Sequence, residues 1–179
     1  IRPLGKRPGS YGLAATFLFL ILGGWWWFNY QNAPDQLYDR YFDPGSLALT
    51  EMSNEQDYLG EGGDYYNSGD YIQAFERFDA YLQENPDSPQ AYLYAGKAAL
   101  AAEDYDMAAV LLGFALEQPS LFQDEARWHL ALARLKQGNI EECRSILQLL
   151  SEDAEADFHQ EATELLDRLP EPENPTEEE

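Results

Sequence analysis

The chain has 179 residues, 11 Lys and Arg against 33 Asp and Glu, and a formal net charge of −22. Binding to nucleic acid through phosphate neutralisation needs the opposite sign and is nearly excluded, as is adhesion of the acidic portion to anionic lipid. The single cysteine, Cys143, rules out an internal disulfide framework and a cysteine-based zinc cluster.

Residues 1–10 hold Arg2, Lys6 and Arg7 and no acid. The chain opens on Ile1 rather than Met, so further sequence is expected upstream. From Tyr11 to Phe28 it reads YGLAATFLFLILGGWWWF, and no charge occurs between Arg7 and Asp35. A helix of that length rises about 27 Å, close to the hydrocarbon core of a bilayer. A secretory signal has a shorter apolar region that ends at small residues, whereas this run ends in tryptophans. The pattern predicts a transmembrane helix over residues 11–30 in contact with lipid. Trp25, Trp26, Trp27 and Tyr30 would stand at the membrane interface. Basic residues favour the cytoplasmic side, so residues 1–10 are expected inside and the long acidic portion outside the cytoplasm.

Residues 31–54 read as a connector. Leu37, Tyr38, Tyr41 and Phe42 recur at helical spacing until Pro44-Gly45 stops the run. One or two amphipathic turns, lying on the membrane or packed against the next domain, fit this pattern. At the other end, residues 170–179 (PEPENPTEEE) form an acidic tail with nothing to bury and are expected to be disordered.

Between these segments the sequence repeats. Gly62, Tyr71 and Ala74 recur 34 residues later as Gly96, Tyr105 and Ala108. A third copy follows after one inserted residue, with Gly138, Ile140 and Cys143 in place of Gly69, Tyr71 and Ala74. A first repeat over 55–88 carries Gly62, Tyr65, Gly69, Tyr71, Ala74, Phe78 and Pro86, but places Tyr81 where a small residue belongs. A second over 89–122 carries Gly96, Tyr105, Ala108, Leu112 and Ala115. A weaker third, 124–154, keeps Leu130, Ala131, Gly138, Ile140 and Leu147. Residues 55–154 thus resemble the tetratricopeptide repeat (TPR) family, specifically its single-pass, membrane-anchored bacterial type. The resemblance implies an all-α fold: a transmembrane helix, then three helical hairpins stacked as a short solenoid. Residues 155–169 are predicted to form the polar capping helix that such an array needs.

No catalytic constellation stands out. His129 and His159 read as structural, since neither has a partner at metal-ligand spacing. Cys143 sits in a small-residue slot and reads as packing. Gly60-Glu61-Gly62-Gly63 lacks the Lys-Ser/Thr pair and the preceding strand of a phosphate loop. The chain is therefore expected not to be an enzyme and to need no cofactor or metal.

In TPR arrays the first helices of the repeats line a concave groove. By register the resemblance places Tyr66, Asn67, Leu93, Lys97, Leu100, Trp128, Leu132 and Lys136 there as candidate partner-binding residues. The family's carboxylate-clamping mode is not supported, because Leu59 and Gly63 occupy the positions that need Lys and Asn. Trp128 serves equally well as a binding anchor or as packing between helices, and the two lysines could pair with the domain's own acids. The expected role is a protein–protein adaptor or accessory subunit of a larger bacterial inner-membrane complex, with the repeats in the periplasm. In architecture it resembles the ancillary subunit of the bacterial Sec translocon. The alternative is a signalling protein with an anti-sigma-like cytoplasmic domain upstream of Ile1.

Overall fold

Helices follow one another without an intervening strand through residues 33–47 and 58–170 of the computed structural model, which also describes residues 22–23. The described fold is all-α. In chain order the helices are α1 (Pro34–Tyr41), α2 (Tyr58–Asn67), α3 (Tyr71–Glu84) and α4 (Pro89–Ala101). They continue with α5 (Tyr105–Ala115), α6 (Gln123–Lys136), α7 (Ile140–Ser151) and α8 (His159–Leu166). From α2 to α8 each helix packs on the next, so the chain builds an array of hairpins α2–α3, α4–α5 and α6–α7 closed by α8. The exception is α1, which packs across the array on α6.

One local device ends the first helix of every hairpin. The Gly69 N–H donates to the Tyr66 carbonyl and the Asp70 N–H to the Tyr65 carbonyl, at 3.0 and 2.9 Å. Glu103 and Asp104 do the same to Leu100 and Ala99, and Gly138 and Asn139 to Leu135 and Arg134. These paired bonds satisfy carbonyls that a helix end leaves open, and they require a left-handed residue after the helix. Gly69, Glu103 and Gly138 supply it, with φ of +84°, +63° and +77°. Asp70 and Asp104 then cap the following helices by accepting from the Gln73 and Met107 N–H groups. Asn139 makes no such bond, so the third hairpin carries the weaker version of the turn.

Within each hairpin the two helices touch where side chains are smallest. A Cβ on Gly62 would lie 2.4 Å from Phe78 Cε1, and one on Gly96 would lie 2.6 Å from Leu112 Cγ. Phe78 and Leu112 are fully buried, so neither can give way. Ala131 and Leu147 form the corresponding pair of the third hairpin and are buried as completely. Ala74, Ala108 and Cys143 share this close contact, and burial pushes the Cys143 thiol up to about 12.

The helix expected over 155–169 is shorter, because Asp153 turns the chain before it starts. Its side chain accepts from the Glu155 N–H and its carbonyl from the Ala156 N–H. Phe158 then enters α8 with φ +64°. Ala162 and Leu165 still bury one face against α7, as a cap should. The span expected at 11–30 lies outside the described residues except for Leu22 and Gly23, as do residues 1–10 and 171–179. Among the described residues no helix is long and apolar enough to cross a membrane.

The turns carry a direct test. A non-glycine residue in the left-handed region costs about 1–2 kcal/mol. Glu103→Gly should therefore raise the unfolding free energy by roughly 1 kcal/mol, read as a higher urea midpoint at unchanged slope. A lower midpoint would mean that the Glu103 side chain stabilises the turn in some other way.

Candidate functional site

The face shared by α2, α4 and α6 collects all eight residues that register assigns to the groove. Tyr66, Leu93, Lys97, Leu100, Trp128 and Leu132 are buried, Lys136 is half-buried, and Asn67 is exposed. The face is not open. Residues 34–47 run along it, from the end of α6 back to α2.

The contacts follow the strap residue by residue. Asp35 meets Lys136 Nζ at 2.9 Å, and Asp39 lies 4.0 Å from the same ammonium. Lys136 also lies over the Tyr38 and Tyr105 rings, 5.1 and 5.8 Å from their centroids. Tyr38 is buried edge-on against Tyr105, and its hydroxyl donates to the Leu100 carbonyl at 3.4 Å. Tyr41 meets Trp128 edge to face, and Phe42 meets His129 in the same way. Beyond α1, the Tyr66 hydroxyl donates to the Pro44 carbonyl at 2.6 Å. Asn67 finishes the strap. Its Oδ1 accepts from the Leu47 N–H at 2.8 Å and its Nδ2 donates to the Leu47 carbonyl at 3.0 Å. That pair mimics a strand ladder with a single side chain.

Local sequence explains why the strap takes this form. Pro34 opens α1, where a missing N–H costs nothing, and Leu37 and Tyr38 form its buried face. Gly45, at φ +60°, reverses the backbone, and the Asp43 carboxylate accepts from its N–H. Leu47 then turns inward and is buried. Leu37, Tyr38, Tyr41 and Phe42 are the readable signal, and of the two placements it allows, on the membrane or against the next domain, Tyr38, Tyr41 and Phe42 take the second.

Trp128, which the sequence leaves open as binding anchor or as packing, is enclosed from both sides. Phe158 stacks on it at 5.4 Å and 5°, and Tyr41 covers its edge. Lys97 is also internal, donating to Glu125 at 2.6 Å. His129, on the same face, is buried with its Nε2 3.8 Å from Glu125 Oε1. The His129 imidazole and the Lys97 ammonium together hold the Glu125 carboxyl down at about 2. Burial lowers the pKa of His129 itself, which favours the neutral ring among Phe42 and Phe158. Burial likewise raises the Tyr38 and Tyr66 phenols, which keeps both as donors. The Asp35 carboxylate raises the Lys136 ammonium.

The surface read from sequence as a partner groove is thus occupied by the chain's own connector. Tyr66, Asn67, Leu100, Trp128 and Lys136 contact it directly, Lys97 pairs with Glu125, and Leu93 and Leu132 lie in the core behind them. Among the described residues no group of three His, Cys, Asp or Glu side chains converges as a metal site. A scan of protein-family models finds no match to the chain, and a search of curated proteins finds none either.

Two measurements check this arrangement. Glu125→Gln removes the carboxylate that Lys97 pairs with and should cost roughly 1.5–3 kcal/mol at pH 7. The carboxyl titrates at about 2 when folded against an ordinary 4.5, so its contribution is complete above 4.5 and is lost as pH falls towards 2. The difference between the parent and Glu125→Gln should shrink across that window, and a constant difference would exclude a charge-dependent role. For the strap, Lys136→Glu places like charge beside Asp35 and Asp39. Trypsin should then cut after Arg40 roughly tenfold faster, because cleavage requires α1 to leave the face. An unchanged rate would mean that α1 is held by its apolar contacts alone.

Proposed function

We infer that the chain is a non-enzymatic, membrane-anchored adaptor or accessory subunit of TPR type, working in a bacterial inner-membrane complex. The observation that carries this reading is the turn at Tyr65–Asp70, which recurs with the same bonds at Ala99–Asp104 and Arg134–Asn139. Three such hairpins in sequence build a scaffold, and the surface such a scaffold offers is suited to another protein. The uncharged run before Asp35 supports the anchor, and the basic flank supports a cytoplasmic N-terminal end.

The strap gives this reading mechanical content. Between Tyr30 and α1 stand only Gln31, Asn32 and Ala33, which reach at most about 10 Å when fully extended. Because α1 packs into the inner face, an anchor ending at Tyr30 would hold the helical array close to the bilayer rather than on a loose tether. An adaptor of this kind keeps its outer surface at one height and limited tilt. Its own inner face serves attachment.

Protease added to intact spheroplasts tests the reading. The repeats should be degraded from outside while a tag ahead of residue 1 survives. Degradation only after lysis would reverse the orientation, and release of the intact chain by carbonate washing would remove the anchor.

A further inference from the structure

The outer face of α5 departs from the pattern of a solvent-facing helix. A helix that buries one side ordinarily charges the other. The equivalent helices α3 and α7 each expose a single large apolar residue, Ile72 and Leu149, among charges such as Glu76 and Asp79, and Glu141 and Glu142. Helix α5 (YDMAAVLLGFA) instead exposes Met107, Val110 and Phe114, at 41, 54 and 43 %. These positions fall along one stripe, and Gly113 lies beside it. A Cβ on Gly113 would meet nothing within 4 Å, so packing inside the chain does not call for glycine there. A glycine in a helix interior costs roughly 0.8–1 kcal/mol against alanine. What it offers is close approach for another backbone.

At its C-terminal end the stripe opens into a cleft of about 130 Å³. The Phe114 and Tyr92 rings, 5.3 Å apart, line it together with Pro86 and Pro89. Asp87 and Glu117 stand at its sides. No Lys or Arg occurs between Lys97 and Arg127, and the charged residues that line the cleft at this end of the stripe are Asp87 and Glu117. We propose that this face docks an amphipathic helix of a second protein, with small and aliphatic side chains over Val110 and Gly113 and a Lys or Arg directed to Asp87 and Glu117. A second copy of this chain is the poorer occupant, because a two-fold contact would bring the same carboxylates together with no cation to meet them. Anionic lipid is repelled by the same rim. The proposal goes beyond the anchored-adaptor reading and holds on either side of a membrane.

The test uses the full chain in zwitterionic lipid nanodiscs and a fluorescent helical peptide of Ala, Leu and Lys, with empty nanodiscs as the background. Saturable binding is expected, and Val110→Asp should weaken it roughly tenfold or more, the effect of removing a central anchor. Asp87→Asn with Glu117→Gln should weaken it severalfold, with a larger loss at low salt. Both variants change exposed side chains, and circular dichroism confirms that each is folded. Three results would overturn the proposal. One is no saturable binding. The second is equal binding by the parent and Val110→Asp, or by a peptide with Glu in place of Lys. The third is rapid disulfide dimerisation of Val110→Cys, which would assign the face to a second copy.

Discussion

Two helices of a hairpin can lie against each other only as closely as the largest side chain at their crossing allows. Here the crossing is set by Gly62 against Phe78 and by Gly96 against Leu112, where even a methyl group would overlap the facing residue. The same spacing aligns α2, α4 and α6 so that their inner sides form one continuous face. That face is largely apolar, and a face of this kind in water needs a cover. Leu37, Tyr38 and Leu47 supply it from a segment that precedes the array in sequence. Closure of the groove therefore follows from the glycine crossings. A looser array would splay its first helices and leave the strap without a single surface to lie on.

The repeat was legible because it is periodic. Gly62 and Gly96, Tyr71 and Tyr105, and Ala74 and Ala108 each mark a position where chain geometry admits few residue types. Helix ends could be read at Gly69 and Gly138, where glycine stands in the left-handed position, but not at Glu103, which adopts that conformation without being glycine. The neighbouring bonds to Ala99 and Leu100 impose it, and they are not written in Glu103 itself. The closing helix was read too long for a similar reason, since Asp153 ends the helical path through backbone bonds that periodicity does not register.

The candidate site was legible in half. Periodicity says which way a helical residue points, and the eight groove residues do share a face. It does not say what stands opposite. Trp128 faces the groove as its spacing implies, yet Phe158 from after the array and Tyr41 from before it enclose the indole. Charge was undecided in the same way. In so acidic a chain, Lys97 and Lys136 are exceptions that the sequence leaves open between a partner and the domain's own acids. Lys97 neutralises Glu125, and Lys136 neutralises Asp35; Arg127 and Arg134 likewise pair with Asp124 and Glu142. Where acids outnumber bases threefold, a base readily finds an acid of its own chain, as Arg77 also does with Glu61.

The division of labour between the two faces follows from this distribution of charge. On the inner face, cations and aromatic rings cooperate to hold the strap, so that face is neutralised and closed. At the C-terminal end of the outer face of α5, apolar side chains stand beside Asp87 and Glu117, and no Lys or Arg lines that cleft. A strap bound through Tyr38, Lys136 and Asn67 must break a buried hydrogen bond, an ion pair and a two-bond amide contact together before it yields the groove. A partner competing for that groove would have to replace all three and also outbid a tethered occupant, whose local concentration is high because it belongs to the same chain. The α5 face imposes no such competition. A cationic helix reaching it gains attraction that the chain cannot satisfy for itself, which makes the outer surface the one on which net negative charge favours association.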